Sequence, residues 1–377
     1  MFNAYETYFL QCQDWAKFWQ EANGVGHIFL WFHTKVNDKY TLSTLVYQYP
    51  WHFGQSFWYI PKGGVLTNKN DTNYSVNSFS SWQDIEQSEL QYLFCDLNKQ
   101  IYDSAKAQKI SYIKVDWEEG LTQRLGLKTN KDLEHFYQNN FKNTKNYKNF
   151  QLAKISSKTI QYLSTITLDL STISPVEDLE QFFIDSKSFW KTTNSNVNRY
   201  TKKSLELSIA LNWDISTQKT ESNFELFWQV YNQTKDRQHF TIQPKAYMRH
   251  FFDQDFSRII VIKDQDNQPQ CVWMGIVFGD TITYLYGGNT DYSFDNYCQY
   301  LTHLVAIKMA VSEKLLKYDL GGYDPNKGFG KFKSNYKGTI RNFLGDIDIP
   351  IHLIKYTITN NTIKLIKFIK RQLTKKR

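Results

Sequence analysis

The stretch YDLGGYDPNKGFGKFKSNYKG, residues 318–338, gathers five of the chain's 17 glycines and four lysines behind a short apolar run. Glycines beside cations are the ingredients of a phosphate cradle, a tight turn, or an active-site loop that presents a charge. The phosphate loop of nucleotide hydrolases is excluded, because GYDPNKG lacks the GxxxxGK[ST] spacing and no hydroxyl residue follows its lysine. Asp324, Pro325 and Asn326 carry turn chemistry, and Gly328 and Gly330 are expected to turn the backbone again before Phe332 and Lys333. The HExxH pattern and CxxC pairs are missing, and Cys12, Cys95, Cys271 and Cys298 are scattered. No metal and no structural zinc are therefore expected, and a reducing compartment suits the chain.

The elements that must position these residues follow from hydrophobic periodicity. In the first half HIFLWF (27–32), YTLSTLVYQ (40–48) and SFWYI (56–60) read as strands, a long helix spans about 82–108, and KISYIKVD (109–116) returns as a strand. The second half repeats the order with RIIVI (258–262), PQCVWMGIVF (269–278), TITYLYGG (281–288), a helix over about 294–314 and LLKYDLGG (315–322). A three-stranded meander, one long helix and a returning strand, occurring twice, predicts an α+β chain of two similar halves. At 377 residues two domains fit the usual size. The expected division is 1–160, 161–345 and a C-terminal segment 346–377 that packs back on the first domain.

Composition narrows the class further. The 41% hydrophobic and 17% aromatic content fills two cores. No apolar run approaches a membrane span, and MFNAYETYFLQCQDW has polar and acidic residues where a signal peptide needs a basic start and an apolar run. A cytoplasmic monomer is expected. The net charge of +8 is concentrated: IKLIKFIKRQLTKKR (363–377) carries seven cations and no acid. Ile363, Ile366, Ile369 and Leu373 recur there at helical spacing, so a basic amphipathic helix is expected. It either docks on the body or lies near anionic lipid, at the inner face of a membrane, or RNA.

The order of elements resembles the GNAT acyltransferase fold. Acetyl-CoA-dependent members carry an [RQ]xxGx[GA] turn at the junction that here reads GGNTDYSFDNY, which disfavours that donor. The ordered set FLQCQDWAKFW, NRYTKKS (198–204), TKDRQHF (234–240), YLYGGN (284–289) and YDLGGYDPNKGFGKFK (318–333) resembles the Fem family of non-ribosomal peptidyltransferases over nearly the whole chain. It is most similar to short FemX-type members with two GNAT-like mixed-sheet domains and no long helical-hairpin insertion. The resemblance implies transfer of an amino acid from aminoacyl-tRNA to the stem-peptide lysine of a peptidoglycan precursor, UDP-MurNAc-pentapeptide or lipid II. Aminoacyl-tRNA would be a co-substrate, with no cofactor.

On that resemblance, Lys333 matches the lysine of the family's Phe-Lys pair and would face a developing oxyanion, with Phe332 packed beneath the loop. Asp116 falls where the family carries an aspartate near the acceptor and would orient or deprotonate the amine, although Trp117 replaces the usual proline after it. Arg237 would hold the acceptor's diphosphate, and Tyr112 and Tyr286 match tyrosines around the precursor. Trp19 stands where a second diphosphate-binding lysine is expected, leaving Lys17 nearby. Arg199, Lys202 and Lys203 are candidates for tRNA contact. Each has a bland alternative: core tyrosines, a surface ion pair, or a solvated helix face. Two other classes remain open, an N-acyltransferase with another acyl donor and a non-catalytic membrane-surface scaffold on the same fold.

Overall fold

The computed structural model describes residues 8–36, 39–50, 54–68, 82–141 and 145–358. The chain divides into two compact units, one formed by residues 6–161 with 343–377 and one by 162–342 with 1–5. Along the first stretch lie α1 (Gln13–Asn23), β1 (Ile28–Val36), β2 (Tyr40–Pro50), β3 (Ser56–Gly63), β4 (Val65–Asn68), α2 (Gln87–Ala107), β5 (Tyr112–Trp117), α3 (Glu119–Arg124), α4 (Asn130–Asn140) and β6 (Lys154–Ile155). Then come β7 (Ser164–Asp169), α5 (Leu179–Asp185), α6 (Lys187–Thr192), α7 (Ser195–Ala210), β8 (Asp214–Ser216), α8 (Glu221–Gln238) and α9 (Lys245–Asp253). The last group is β9 (Ser257–Lys263), β10 (Pro269–Phe278), β11 (Thr281–Asn289), α10 (Asp291–Asp295), α11 (Cys298–Ser312), β12 (Lys317–Gly322), α12 (Gly328–Ser334), β13 (Thr339–Asn342) and β14 (Ile347–Pro350).

Each unit is an α+β arrangement on one seven-stranded mixed sheet. The first runs β1-β2-β3-β5-β14-β6 with β4 beside β2, and the second runs β13-β7-β12-β11-β10-β9-β8. The internal repeat is visible in the pairing. In both, the third strand of an antiparallel meander pairs in parallel with the strand that follows the long helix, β3 with β5 and β11 with β12. That strand has an antiparallel neighbour on its other side, β14 in the first unit and β7 in the second. The strand at 347–350 was not expected from sequence, because four residues carry too little alternation to signal it. It joins the first unit's sheet beside β5, where Asp348 stands opposite Lys114, 234 residues away.

Packing follows the sequence pattern. Leu90, Leu93, Phe94, Leu97, Ile101 and Ala105 recur every three or four residues and form the buried stripe of α2. They meet Trp58, Ile60, Val115 and Trp117 of the sheet. In the second unit α11 is buried on nearly every side, as its run CQYLTHLVAI requires, against Ile260, Ile262, Trp273 and Tyr318. The helix expected over 294–314 is divided: Tyr297 has φ of +59° and separates α10 from α11. The basic segment 363–377 lies outside the described residues. No described helix is long and apolar enough to cross a membrane.

A buried charge lattice ties β14 into the first unit. Lys114 of β5 contacts Asp348 of β14 at 2.6 Å and Asp346 at 3.7 Å, while Lys62 at the end of β3 contacts Asp116 at 2.7 Å. Three carboxylates thus face two ammonium groups, and Asp346 is the surplus one. Burial, with the nearby Asp116 charge, pushes its carboxyl up to about 7. One oxygen accepts the Ile160 N–H at 2.8 Å and the other has no partner. The folded form holds this proton more tightly than the unfolded chain, so the associated stability is complete at low pH and is lost as pH rises through about 7. Asp346→Asn should therefore raise the melting temperature by roughly 2–4 °C at pH 8.5 and progressively less toward pH 5. Thermal denaturation at the two pH values checks this, and an equal effect at both would contradict it.

Candidate active site

In the second unit the parallel ladder between β11 and β12 has three registered pairs, Thr281 with Lys317, Ile282 with Tyr318 and Thr283 with Asp319, and then stops. Two irregularities flank the stop. β10 and β11 shift register between Met274 and Gly275, and β12 shifts against β7 between Asp319 and Gly322. The corresponding strands of the first unit, β3 and β5, carry four pairs in continuous register, Trp58–Ile113 to Pro61–Asp116, and a fifth, Gly63–Trp117, after a shift. Gly321 explains the early end in the second unit. Its φ is +73°, and a Cβ there would sit 2.3 Å from the Tyr284 carbonyl oxygen. Only glycine permits that left-handed turn this close to β11.

Lys333 uses the backbone this turn redirects. It lies on α12, is buried, and its Nζ donates to the Gly322 carbonyl at 2.7 Å. The ammonium also lies 5.4 Å from the Tyr284 ring centroid and 5.3 Å from that of Phe329. Burial pulls it down to about 8, opposed by the Asp319 carboxylate. Asp319, likewise buried, accepts the Gly321 N–H at 2.7 Å and is pushed up to about 6 by burial. His303 of α11 lies behind this layer, packed against Tyr284, Tyr318, Phe332 and Tyr336. Burial, aided by the Lys333 charge, lowers it to about 3, so it is neutral at pH 7. Tyr318 Oη accepts from Trp273 Nε1 at 3.0 Å, so its own proton is free for His303 Nδ1, 2.6 Å away. The arrangement presents one cation in an aromatic, water-poor setting, suited to meeting an oxyanion.

The glycine roles differ from those expected from sequence. Gly328 and Gly330 lie within α12 rather than in a turn. Gly330 allows α12 to approach the preceding loop, since a Cβ there would fall 1.8 Å from the Asp324 carbonyl oxygen. The turn itself is made by Asp324, whose carboxylate accepts the Asn326 N–H at 3.0 Å.

The remaining expected residues divide between the units. Phe332 packs on Tyr300 and His303 beneath Lys333, and Tyr286 on β11 is half-buried against Tyr231 and Phe251 and hydrogen-bonded to Tyr247. Arg237 reaches Asp291 at 3.0 Å and the Asn289 carbonyl at 2.6 Å, with the Phe294 ring beneath it. Asp116 and Tyr112 depart from the expected roles. Asp116 is 1% exposed and paired with Lys62, itself 1% exposed and 3.6 Å from the Phe343 ring centroid, so no amine can approach it. It is a charge of the core, where each partner answers the desolvation of the other. Tyr112 is buried, stacked on Phe57 with centroids 5.0 Å apart and edge-on to Tyr356. Lys17 is exposed on α1.

Arg199, Lys202 and Lys203 are exposed on α7. Arg199 lies over Tyr200 and Lys203 over Tyr297, and these two rings stack at 4.4 Å. Lys202 faces Glu206 at 3.6 Å. Sequence reasoning missed Asp319, Tyr284 and His303. The first had a signal, because an aspartate two residues before a glycine is the pattern of a side chain closing a turn on its own backbone. Among the described residues no group of three or more His, Cys, Asp or Glu side chains is placed to hold a metal.

Gly321→Ala should destabilise the protein by about 1–3 kcal/mol, from the positive φ and the contact with Tyr284. Denaturant unfolding measures this, and an unchanged midpoint would mean that the turn can relax.

Comparison with known proteins places this geometry. The model of the FemAB family matches residues 254–364, a segment that contains Tyr286, His303, Asp319, Gly321, Phe332 and Lys333. FemX has a similar crystal structure, with a TM-score of 0.66 and 12% identity over 94% of this chain and 95% of that one. L-PGS from Bacillus licheniformis aligns at a TM-score of 0.45 with 9% identity, over 89% of this chain and 88% of that one. A tandem GNAT protein from the clavulanic acid biosynthesis pathway aligns at 0.44 with 6% identity, over 87% and 84%. No curated protein sequence matches the chain. The segment around Lys333 is thus similar to the FemAB family, on a fold that follows FemX over nearly the whole chain.

Proposed function

We propose that this protein is an aminoacyltransferase that moves an amino acid from aminoacyl-tRNA to the stem-peptide lysine of a peptidoglycan precursor, either UDP-MurNAc-pentapeptide or lipid II. The observation that carries the reading is Lys333, a buried ammonium at the end of an interrupted parallel ladder, within the segment that matches the family. An aminoacyl ester is already activated. Catalysis then needs an aligned amine and a cation for the charge that develops on the carbonyl oxygen. Lys333 supplies the second by exchanging its bond to the Gly322 carbonyl for one to the ester oxygen. The amine nitrogen bonds to the ester carbon, the carbon–oxygen bond to the ribose breaks, and the amine's proton passes to the departing ribose oxygen. That balance holds for the neutral amine; the acceptor ammonium first gives one proton to solvent, since Asp116 is enclosed with Lys62.

Arg237 suits the acceptor's phosphates. Its partner Asp291 is 88% exposed, and so solvated a pair is exchanged readily for a diphosphate. Tyr286 and Phe332 supply aromatic walls. The cations Arg199, Lys202 and Lys203 with the Tyr200–Tyr297 stack offer the mixture of charge and aromatic faces that suits tRNA. The protein works as a monomer in the cytoplasm, with the basic tail 363–377 holding it near the inner membrane face when the acceptor is lipid-linked.

The test is to supply purified protein with a mixture of charged tRNAs and either acceptor, and to follow the acceptor's mass. An increase of one aminoacyl residue is expected, and no transfer with any tRNA onto either acceptor overturns the reading. Lys333→Met should lower turnover at least about tenfold, the effect of losing one contact to a developing charge. The charged form of Lys333 is the active one and burial lowers it to about 8, whereas the acceptor lysine gains its reactive neutral form up to its ordinary value of about 10.4, so turnover should rise with pH and then level off above about 8. A rate that keeps rising to pH 9.5 would remove the ammonium from the mechanism.

A further inference from the structure

We propose that Asp319 is a positioning residue for Lys333, holding the kink of β12 on which the lysine is anchored. The inference rests on the reading of Lys333 given above, and it concerns a side chain that touches no substrate atom. Its grounds are geometric. Asp319 is the last residue of β12 in register with β11, so it stands where the ladder ends. Its Oδ1 accepts the Gly321 N–H at 2.7 Å, which closes the left-handed turn at φ +73°. The next residue, Gly322, supplies the carbonyl oxygen that takes the Lys333 ammonium at 2.7 Å. Remove the carboxylate and the Gly321 N–H loses its acceptor, the turn loses its closure, and the Gly322 carbonyl is free to swing away from Nζ.

Charge acts in the same direction. The groups that face Asp319 are Lys333 from α12, Arg341 from β13, Thr165 from β7 and Tyr318 beside it, and those that face Lys333 are Asp319, the neutral His303 of α11 and Tyr284 of β11. The carboxylate favours the charged lysine, while burial and a protonated His303 would oppose it. Among the described residues Asp319 is the carboxylate that acts on Lys333. Asp319 thus holds the ammonium both in place and in its charged form.

The experiment reads Lys333 directly. The protein is labelled with lysine carrying 13C at the ε position, the Lys333 resonance is assigned with Lys333→Arg, and its shift is followed from pH 4.5 to 10. In the wild type the curve should have two steps, a small one near 6 from Asp319 and the main one near 8 from the amine itself. In Asp319→Asn, which keeps an oxygen acceptor and the side-chain volume, the small step should vanish and the main step should move to lower pH. In Asp319→Ala turnover should fall at least about tenfold with little change in KM, from misplacement of the lysine. A single-step wild-type curve overturns the proposal, and this needs no Asp319 variant to fold. An Asp319→Asn curve identical to the wild type overturns it as well. Should the wild type transfer no amino acid while the Lys333 curve still shifts in Asp319→Asn, the functional reading fails and the positioning role stands.

Discussion

An ammonium removed from water at the end of the β11–β12 ladder is the constraint around which the second unit's site is organised. Such a group is tolerated only where donors and acceptors replace its hydration. Lys333 has a carbonyl acceptor, aromatic faces and the charge of the Asp319 carboxylate. Supplying the carbonyl requires β12 to turn away from β11 after Asp319, and that turn requires glycine at 321. The neutral His303 and the chain of hydrogen bonds from Trp273 through Tyr318 keep a second positive charge from arising behind the first. The elements surrounding Lys333 are thereby arranged for a single positive charge.

The first unit uses nearly the same strand order to a different end. There β3 and β5 stay registered through four pairs and regain a fifth after a shift, and the charges nearest their ends, Lys62 and Asp116, neutralise one another inside the core. A repeated fold has thus diverged in where it places its lysine: paired and sealed in one copy, lightly held in the other. The physical distinction is the partner. A carboxylate at 2.7 Å holds an ammonium far more strongly than a carbonyl oxygen at the same distance, so Lys333 is the one free to exchange partners.

Much of the architecture was legible in the sequence, because it depends on local periodicity. The meanders, the stripe of α2 and the fully apolar α11 follow from which residues recur at two- or three-to-four-residue spacing. The elements that were missed are those whose cause is remote. β14 is a strand only because β5 and β6 supply its partners, and α10 separates from α11 at a single left-handed tyrosine, which no apolar pattern announces. Among the candidate residues, Lys333 stands out by its place in a Gly-rich motif with a Phe-Lys pair, whereas the enclosure of Asp116 with Lys62 could not be read, because burial is a property of the fold.

What the sequence determined by itself was the repeated α+β pattern, the turn chemistry of Asp324 to Asn326, and the concentration of glycine and lysine around Lys333. These are consequences of residue type and short spacing. The tertiary structure alone decided which charges are sealed and which remain exchangeable, where the parallel ladder ends, and that Asp319 faces Gly321 and Lys333. Each of those depends on desolvation and on distances between residues far apart in the chain, and neither quantity is encoded in the order of neighbouring amino acids.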